Sequence, residues 1–249
     1  MNRKFLTALP VYNESNYVNP VLDQVLRYSP HVLVVDDGST DGTTELLAQR
    51  SDIQLLTHAR NQGYGAALRS AFEYALTQRY DMLVTIDCDG QHEPQRIPDF
   101  VAACAEAQIV SGSRYLQAFS GQSLPPAERR NINLQITTEL NRRLSLNLTD
   151  AFCGFKAYRH DALACLHITE TGYAMPLEVW AQAVQAGLKI VELPVPLIYL
   201  DESRSFGGSL DNANERLGYY RQVLDRVMGS AEIPPPRLKA SSLSREVSG

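Results

Sequence analysis

Two carboxylates and an amide alternate along the run DCDGQH, as Asp87, Asp89 and Gln91. In an extended chain, side chains two residues apart point the same way, so these three groups are expected to face one site. Their hard oxygen atoms suit Mg²⁺ or Mn²⁺, which keep several waters and share other positions with substrate phosphates. The spacing predicts a divalent metal site, although Asp-Gly pairs are common turn formers and a plain strand-exit turn has the same pattern.

A second acidic cluster is the run DDGSTDGT, which begins at Asp36. Counted from Asp37, it matches the first half of a helix–loop–helix calcium site. Such a loop needs glutamate at its twelfth position, where this chain has Ala48, and a helix in front, where it has the apolar run HVLVV. The cluster therefore follows a buried strand, and open α/β sheets bind ligands at the carboxyl ends of their strands.

Strand-like and helical runs alternate through the first half of the chain. The runs KFLTAL, VLVVD, IQLLT and MLVTID predict strands, and residues 18–28, 43–50 and 64–78 predict helices between them. This alternation predicts an α/β fold with an open, mainly parallel sheet and helices on both faces. Later, PLEVWAQAVQAG predicts a helix from Pro176 to Gly187, and a second amphipathic helix is indicated by apolar residues four apart, Ile132, Ile136, Leu140 and Leu144.

Composition limits the functions available to this chain. With 249 residues and 44% hydrophobic content, it can form one large domain, predicted over residues 1–228, before a proline- and serine-rich tail, residues 229–249, predicted to be disordered. A net charge of -5 argues against nucleic-acid binding. The absence of a long apolar run predicts a cytoplasmic protein. The four scattered cysteines form no Cys-x-x-Cys pair, so reduced, partly buried thiols are expected.

Eight stretches together resemble one known family. In chain order they are LPVYNE, VVDDGSTDGT, RNQGYGAALRSAF, TIDCDGQHEP, SGSRY, DAFCGFKAYRHDAL, GYAMPLEV and SRSFGGS. Their order and spacing are similar to those of the inverting family-two glycosyltransferases of the GT-A fold, and most similar to the polyprenyl-phosphate (dolichyl-phosphate) mannosyl- and glucosyltransferases. The resemblance implies Mg²⁺- or Mn²⁺-dependent transfer of a hexose from a GDP-mannose or UDP-glucose type of donor to dolichyl or undecaprenyl phosphate. It leaves the choice between GDP and UDP open.

The resemblance assigns a donor side to the amino-terminal half. It implies that a nucleoside is framed by Pro10, Tyr12, Glu14, Asp36 and Asp37, since carboxylates accept hydrogen bonds from base N–H groups and ribose hydroxyls.

Three further residues belong to the stretch RNQGYGAALRSAF. Gly63 and Gly65 permit a close backbone approach at a helix start, and Arg69 would reach a phosphate or lie on a solvated face. Asp87 would serve both the nucleotide-sugar and the metal.

The remaining positions carried over by the resemblance concern phosphate groups. Arg114 in SGSRY would lie near the diphosphate or an acceptor phosphate. Arg204 and Ser209 match the family's flexible Arg-x-x-Gly-x-Ser loop, which closes over the substrates. The mannosyltransferase pattern usually has lysine after that serine, where this chain has Leu210. With the metal at Asp89, these arginines would neutralise the leaving diphosphate.

The acceptor decides whether a base is needed. A phosphate monoester is already anionic, whereas a hydroxyl requires a carboxylate to take its proton, and Glu178 in MPLEV matches the family's acceptor-side acid. Glu178 is equally expected as a favourable first-turn helix charge. Asp150, which opens DAFCGF, is a second acceptor-side candidate.

Two alternatives stay open at this level. In the first, the enzyme transfers sugar to a hydroxyl group of a saccharide or another small molecule. In the second, the protein is a non-catalytic module that binds a nucleotide-sugar. A Rossmann dehydrogenase is disfavoured, because no G-x-G-x-x-G follows the first strand. Many relatives have carboxyl-terminal transmembrane helices that this sequence lacks. A lipid acceptor would then be met at the membrane surface, by the predicted Ile132–Leu144 helix with its flanking arginines Arg129, Arg130, Arg142 and Arg143, unless that helix packs in the core.

Overall fold

The computed structural model describes residues 3–119, 126–198 and 208–229. Within them the strands are β1 (Phe5–Val11), β2 (Val32–Asp36), β3 (Gln54–Thr57), β4 (Met82–Thr85), β5 (Ile109–Ser113), β6 (Lys156–Arg159) and β7 (Ile190–Pro194). The α-helices are α1 (Val18–Val25), α2 (Thr43–Ala48), α3 (Tyr64–Thr77), α4 (Ile97–Ala103), α5 (Ala127–Leu144), α6 (His160–Cys165), α7 (Met175–Gln185) and α8 (Ala213–Gly229). Arg204 and the predicted tail beyond Gly229 lie outside the described residues.

The described strands form one seven-stranded sheet in the order β3-β2-β1-β4-β6-β5-β7. All neighbouring pairs are parallel except those of β6, which runs antiparallel to both β4 and β5. The predicted open, mainly parallel α/β sheet is therefore confirmed. Because β6 is reversed, its amino end lies at the same edge of the sheet as the carboxyl ends of β4 and β5.

Alternating side chains on the strands build a core on each face of the sheet. On one face, Leu33 and Val35 of β2 pack in a cluster with α3, α5, α6, α7 and α8. On the other, Val32 and Val34 pack in a cluster with α1, α2 and α4. Successive residues of β2 point to opposite faces, and helices cover both faces. β2 is therefore buried along its whole length, and its sequence is a nearly continuous apolar run.

The predicted amphipathic helix is α5, and its apolar stripe faces inward. Ile132, Ile136, Leu140 and Leu144 all belong to the buried core cluster on that face of the sheet. The alternative in which this stripe meets a membrane is therefore excluded by its packing. Within the described ranges, no helix is both long and apolar enough to cross a bilayer.

Among the elements of the second half that were not predicted are β6 and α6. β6 has only four residues and begins and ends with a cation, Lys156 and Arg159, so it lacks the apolar run of the other central strands. α6 follows it directly and is six residues long. The four cysteines are free, as expected, and all except Cys165 are buried.

Candidate functional site

A cavity of about 730 Å³ lies at the carboxyl edge of the sheet. Its walls come from residues that follow β1, β2, β4, β5 and β7, together with parts of α3, α5 and α8. The acidic clusters after β2 and β4 thus meet at one cavity, where open α/β sheets bind ligands.

Asp87, Asp89 and Gln91 all line the cavity. The Asp87 carboxylate is held on two sides, because its Oδ1 accepts a hydrogen bond from the Tyr64 hydroxyl at 2.9 Å and its Oδ2 lies 3.3 Å from His92 Nε2. Burial alone would raise the pKa of Asp87, but the hydrogen bond and charge of His92 outweigh it and lower that pKa. Asp89 Oδ1 accepts a hydrogen bond from the Gln91 backbone N–H at 3.0 Å.

Gly154 forms the floor beneath Asp87. A Cβ atom at this position would lie 2.0 Å from Asp87 Oδ2, so a side chain cannot be added without displacing the carboxylate. Gly154 lies two residues before β6, and the reversed direction of that strand brings it to the cavity edge.

The chemistry of this donor set fits a hard divalent cation. Two carboxylates and one amide oxygen suit Mg²⁺ or Mn²⁺, which take their remaining ligands from water and substrate phosphates. Over residues 3–119, 126–198 and 208–229, no group of three or more His, Cys, Asp or Glu side chains is placed to hold a metal by itself.

Asp36 does not point toward a ligand as the sequence suggested. It is fully buried, and its Oδ1 accepts hydrogen bonds from the backbone N–H and hydroxyl of Ser39 while its Oδ2 accepts one from the Thr44 hydroxyl. These contacts fold the loop between β2 and α2 and position its neighbour Asp37. Asp41 makes a similar turn, since its Oδ1 accepts a hydrogen bond from the Thr43 N–H.

Asp37 lines the cavity but already binds partners within the protein. Its carboxylate accepts the backbone N–H groups of Gln62 and Gly63 at 3.0 and 2.7 Å, and His58 Nδ1 lies 2.6 Å from its Oδ1. His58 Nε2 is 2.9 Å from the Ser70 hydroxyl. Hydrolases use the same three residue types, but neither His58 nor Ser70 is among the described residues that line the cavity. The arrangement therefore fixes Asp37 and the start of α3.

At Gly63 and Gly65, the two glycines of NQGYGA, another segment of the backbone lies very close. A Cβ at Gly63 would meet the Thr171 carbonyl oxygen at 2.3 Å, and one at Gly65 would meet the Glu170 carbonyl oxygen at 2.4 Å. A loop of the protein thus makes the predicted close approach at both glycines, and Asp37 accepts the Gly63 N–H. Gly63 lines the cavity, so its role toward the nucleotide-sugar stays a prediction, whereas Gly65 is not among the described cavity-lining residues. Arg69, one turn further along α3, is not among the described cavity-lining residues.

Arg114, which is partly exposed, and the fully buried Asp150 form an ion pair beside the cavity. Arg114 donates from Nε and Nη2 to the two carboxylate oxygens of Asp150 at 2.6 and 2.9 Å, and Asn133 Nδ2 donates to Oδ1. Burial favours the neutral acid, but the charge and hydrogen bonds of Arg114 lower the pKa of Asp150 far below its usual value. Arg114 lines the cavity, whereas the fully buried Asp150 is a partner of Arg114 and not an acceptor contact, which corrects its predicted role.

Glu178 is also turned away from the cavity. Its carboxylate accepts hydrogen bonds from the Thr169 N–H and hydroxyl, the Glu170 N–H and the Gln182 amide, and the side chain is buried. It is not among the described cavity-lining residues. The structure thus gives Glu178 the role of a loop anchor and does not bring it to the position of an acceptor-side base.

Replacing Glu178 with glutamine is expected to destabilise the protein. Glutamine keeps one oxygen to accept the backbone N–H groups of Thr169 and Glu170, but its NH₂ group then faces the Gln182 amide, which is itself a donor, and this buried contact costs about 1–3 kcal/mol. Thermal unfolding should show a Tm lower by several degrees, about 2–4 °C for each kcal/mol. Glu73→Gln, the same change at an exposed position of α3, is the control, and an unchanged Tm in Glu178→Gln would contradict the anchoring role.

The remaining predicted positions divide between the cavity and its rim. Pro10, Tyr12 and Glu14, which follow β1, line the cavity. Ser209 is exposed on the 3-10 turn Gly208–Asp211, and its neighbour Leu210 lines the cavity.

The cavity-lining residues that were not singled out from the sequence include Tyr64, His92, Tyr173 and Arg216. Arg129 also lines the cavity, and it was named only as a flanking residue of the predicted amphipathic helix. The glycines on either side of Tyr64 are a local signal for it. They indicate a helix start at which another segment of backbone comes close. No comparable local pattern marks Tyr173 or Arg216, whose positions depend on the packing of α7 and α8.

Comparisons with known proteins agree with this geometry. The family model described as glycosyl transferase family 2 matches residues 7–166. The chain is 32% identical over 222 residues to the undecaprenyl-phosphate mannosyltransferase of Micrococcus luteus, covering 84% of this chain and 90% of the relative. It is 29% identical over 244 residues to the polyprenol monophosphomannose synthase of Mycolicibacterium smegmatis, covering 91% of each.

Solved structures show the same architecture. The crystal structure of glucosyl-3-phosphoglycerate synthase from Mycobacterium tuberculosis, in complex with Mn²⁺, UDP and glucosyl-3-phosphoglycerate, superposes with a TM-score of 0.70 at 19% identity, covering 94% of this chain and 81% of that one. The predicted GT-A fold is confirmed by this similarity. With the fold and the matched length taken together, the chain belongs to glycosyl transferase family 2.

Proposed function

We propose that this protein is an inverting, metal-dependent glycosyltransferase that moves a hexose from a nucleoside-diphosphate sugar to a polyprenyl phosphate. One observation carries the proposal: a single cavity has carboxylates on its β1–β4 side and arginines with apolar side chains on its α5–α8 side. The carboxylates suit a metal-bound diphosphate, and the opposite side suits an anionic lipid head with an apolar tail.

The donor side is built to hold a diphosphate through a cation. Asp87, Asp89 and Gln91 would hold Mg²⁺ or Mn²⁺, which when bound neutralises the charge that develops on the leaving diphosphate. Tyr12 and Glu14 line the same side and would contact the nucleoside. Asp37 would accept a hydrogen bond from the nucleoside through a carboxylate lone pair that its internal partners do not use.

The acceptor side combines positive charge with apolar surface. Arg114, Arg129 and Arg216 line it, and Arg216 also donates to the Glu128 carboxylate and to the Leu210 carbonyl. Fixed guanidinium groups match the oxygen geometry of phosphate. Between and around them lie apolar side chains that would cover the first isoprene units: Ile132, Phe152, Leu197, Ile198, Leu210 and Tyr220.

The distribution of carboxylates favours a phosphate acceptor over a hydroxyl. Among the described residues that line the cavity, the carboxylates are those of Glu14, Asp37, Asp87 and Asp89, all on the donor side. A hydroxyl acceptor needs a base close to its proton, whereas a phosphate monoester attacks as an anion. Attack from the side opposite the diphosphate inverts the anomeric centre. We also propose that the protein acts in the cytoplasm, at the membrane surface where such lipids are found.

The proposal is tested by a transfer assay with defined substrates. The purified protein is incubated with radiolabelled GDP-mannose or UDP-glucose, Mg²⁺ or Mn²⁺, and either a short-chain polyprenyl phosphate or a simple glycoside. We expect label in the lipid phosphate and its loss when metal is chelated. Label entering glycosides alone would overturn the acceptor, and nucleotide binding without turnover on any acceptor would favour a binding module.

Arg129→Ala should weaken acceptor use selectively. Losing a charge-assisted hydrogen bond to phosphate is expected to raise the KM for polyprenyl phosphate about tenfold or more, with a smaller effect on the KM for the nucleotide-sugar. The KM of the wild type should also rise with salt. Arg142→Ala is the matched control, since Arg142 lies on α5 with an exposed side chain. Equal effects of both substitutions would contradict the placement of the phosphate. Arg114→Ala is a poorer test, because it strands the buried Asp150 charge.

A further inference from the structure

The Asp87 carboxylate is supported by two tyrosines that lie outside the predicted metal site. We propose that Tyr64 and Tyr173 are positioning residues for Asp87, and that residues 169–173, here termed the 169–173 loop, hold both rings in place. The inference rests on the proposed function, because it gives Asp87 to the metal.

Tyr64 makes the direct contact. Its hydroxyl donates to Asp87 Oδ1 at 2.9 Å, while His92 lies against the other oxygen. With Gly154 packed beneath, the carboxylate is fixed from three directions, and its side chain is 28% exposed toward the cavity. Groups that orient a metal-binding carboxylate in this way set its affinity for the ion.

Tyr173 holds the Tyr64 ring. The two rings stack with centroids 5.6 Å apart and planes 18° from parallel, and both line the cavity. A stacked neighbour restricts the rotation of Tyr64 about its side-chain bonds, so the hydroxyl stays directed at Asp87.

The 169–173 loop fits against the start of α3 around Tyr64. Gly63 and Gly65, on either side of Tyr64, are the positions where the Thr171 and Glu170 carbonyls come too close for any Cβ. The Ala66 N–H also donates to the Thr171 carbonyl at 3.1 Å. The order Gly-Tyr-Gly therefore lets the loop lie on the backbone while the tyrosine reaches forward to Asp87.

The loop is in turn fixed to two helices of the acceptor side. Glu178 of α7 accepts the backbone N–H groups of Thr169 and Glu170. The Glu170 carboxylate accepts the Gly172 N–H and pairs with Tyr219 and Arg226 of α8. A continuous series of contacts thus runs from α8 to the proposed metal ligand, and it explains why Glu178 is buried and hydrogen-bonded away from the cavity.

The test measures the affinity of the full chain for Mn²⁺ by calorimetry. GDP or UDP is present, whichever the wild type binds. Tyr64→Phe removes only the hydroxyl and is expected to weaken Mn²⁺ binding about 10- to 100-fold, the usual effect of losing a group that orients a metal ligand. At saturating Mn²⁺ the KM for polyprenyl phosphate should be unchanged. Tyr173→Ala should weaken Mn²⁺ binding and Tyr173→Phe, which keeps the stacked ring, should not.

The controls separate this inference from the proposed function. Tyr28→Phe, at an exposed site, should bind Mn²⁺ like the wild type, and Asp89→Ala should lose binding. Wild-type affinity in a folded Tyr64→Phe, with binding lost in Asp89→Ala, overturns the inference and leaves the metal site standing. A wild type that binds no Mn²⁺ with either nucleotide overturns the proposed metal site and this inference together. If Tyr64→Phe does not fold, equal Mn²⁺ affinities in Tyr173→Ala and Tyr173→Phe overturn the inference.

Discussion

Asp89→Ala is expected to lower turnover by about a thousandfold or more, since charge stabilisation by a metal contributes several kcal/mol and each 1.36 kcal/mol is a factor of ten. The side chain lines the cavity two residues from Asp87, and its loss leaves one carboxylate and one amide for the ion. The diphosphate would then depart with its charge poorly compensated. Single-turnover rates of sugar transfer at several Mn²⁺ concentrations measure the effect.

The matched control is Asp99→Ala, which makes the same change of charge at an exposed position on α4. It should transfer sugar at the wild-type rate. A near-normal rate for Asp89→Ala under saturating metal would refute its assignment as a metal ligand.

Gly154→Ala is expected to reduce kcat/KM about a hundredfold, the usual cost of misplacing a reacting or orienting group by about 1 Å. The new methyl group would lie 2.0 Å from Asp87 Oδ2 and 2.5 Å from its Cγ, so the carboxylate has to move. The backbone can remain in place because the clash is with a side-chain end. The loss should therefore appear in turnover and in Mn²⁺ affinity, with a small change in Tm.

Gly218→Ala in α8 is the control for this substitution. A Cβ at Gly218 meets no atom within 4 Å, and alanine is the better helix former by about 1 kcal/mol. This variant should keep full activity and unfold at an equal or higher temperature. Full activity in Gly154→Ala would show that Asp87 does not need its present position.

The first half of the fold could be read from the sequence because its signals are local. β2 ends in Asp36, β4 is followed two residues later by Asp87, and α3 follows a glycine-containing turn, so their order alone predicts a parallel sheet with a site at its edge. α5 likewise follows from apolar residues four apart. β6 could not be predicted, because its four residues are a strand only between β4 and β5.

The site was harder to read, since residue type does not reveal which way a carboxylate points. Asp36, Asp150 and Glu178 satisfy internal donors, and Asp37 does so as well while lining the cavity. The Asp150 partner, Arg114, is 36 residues away in the chain, and the Glu178 partners are in a loop that precedes its helix. Such pairings are tertiary, and a single sequence contains no local pattern for them.

Because of the reversed strand β6, the centre of the sheet is also completed late in synthesis. The sheet runs β4-β6-β5, so a strand made late in the chain occupies a place between two strands made earlier. A growing chain that stops before Lys156 can pair β1 to β4, but the edge of β4 stays open and β5 has no neighbour on that side. Gly154 then has no fixed place beneath Asp87. The cavity is therefore completed late in synthesis, because the surface beneath Asp87 depends on β6 and further lining comes from the residues after β7 and from α8.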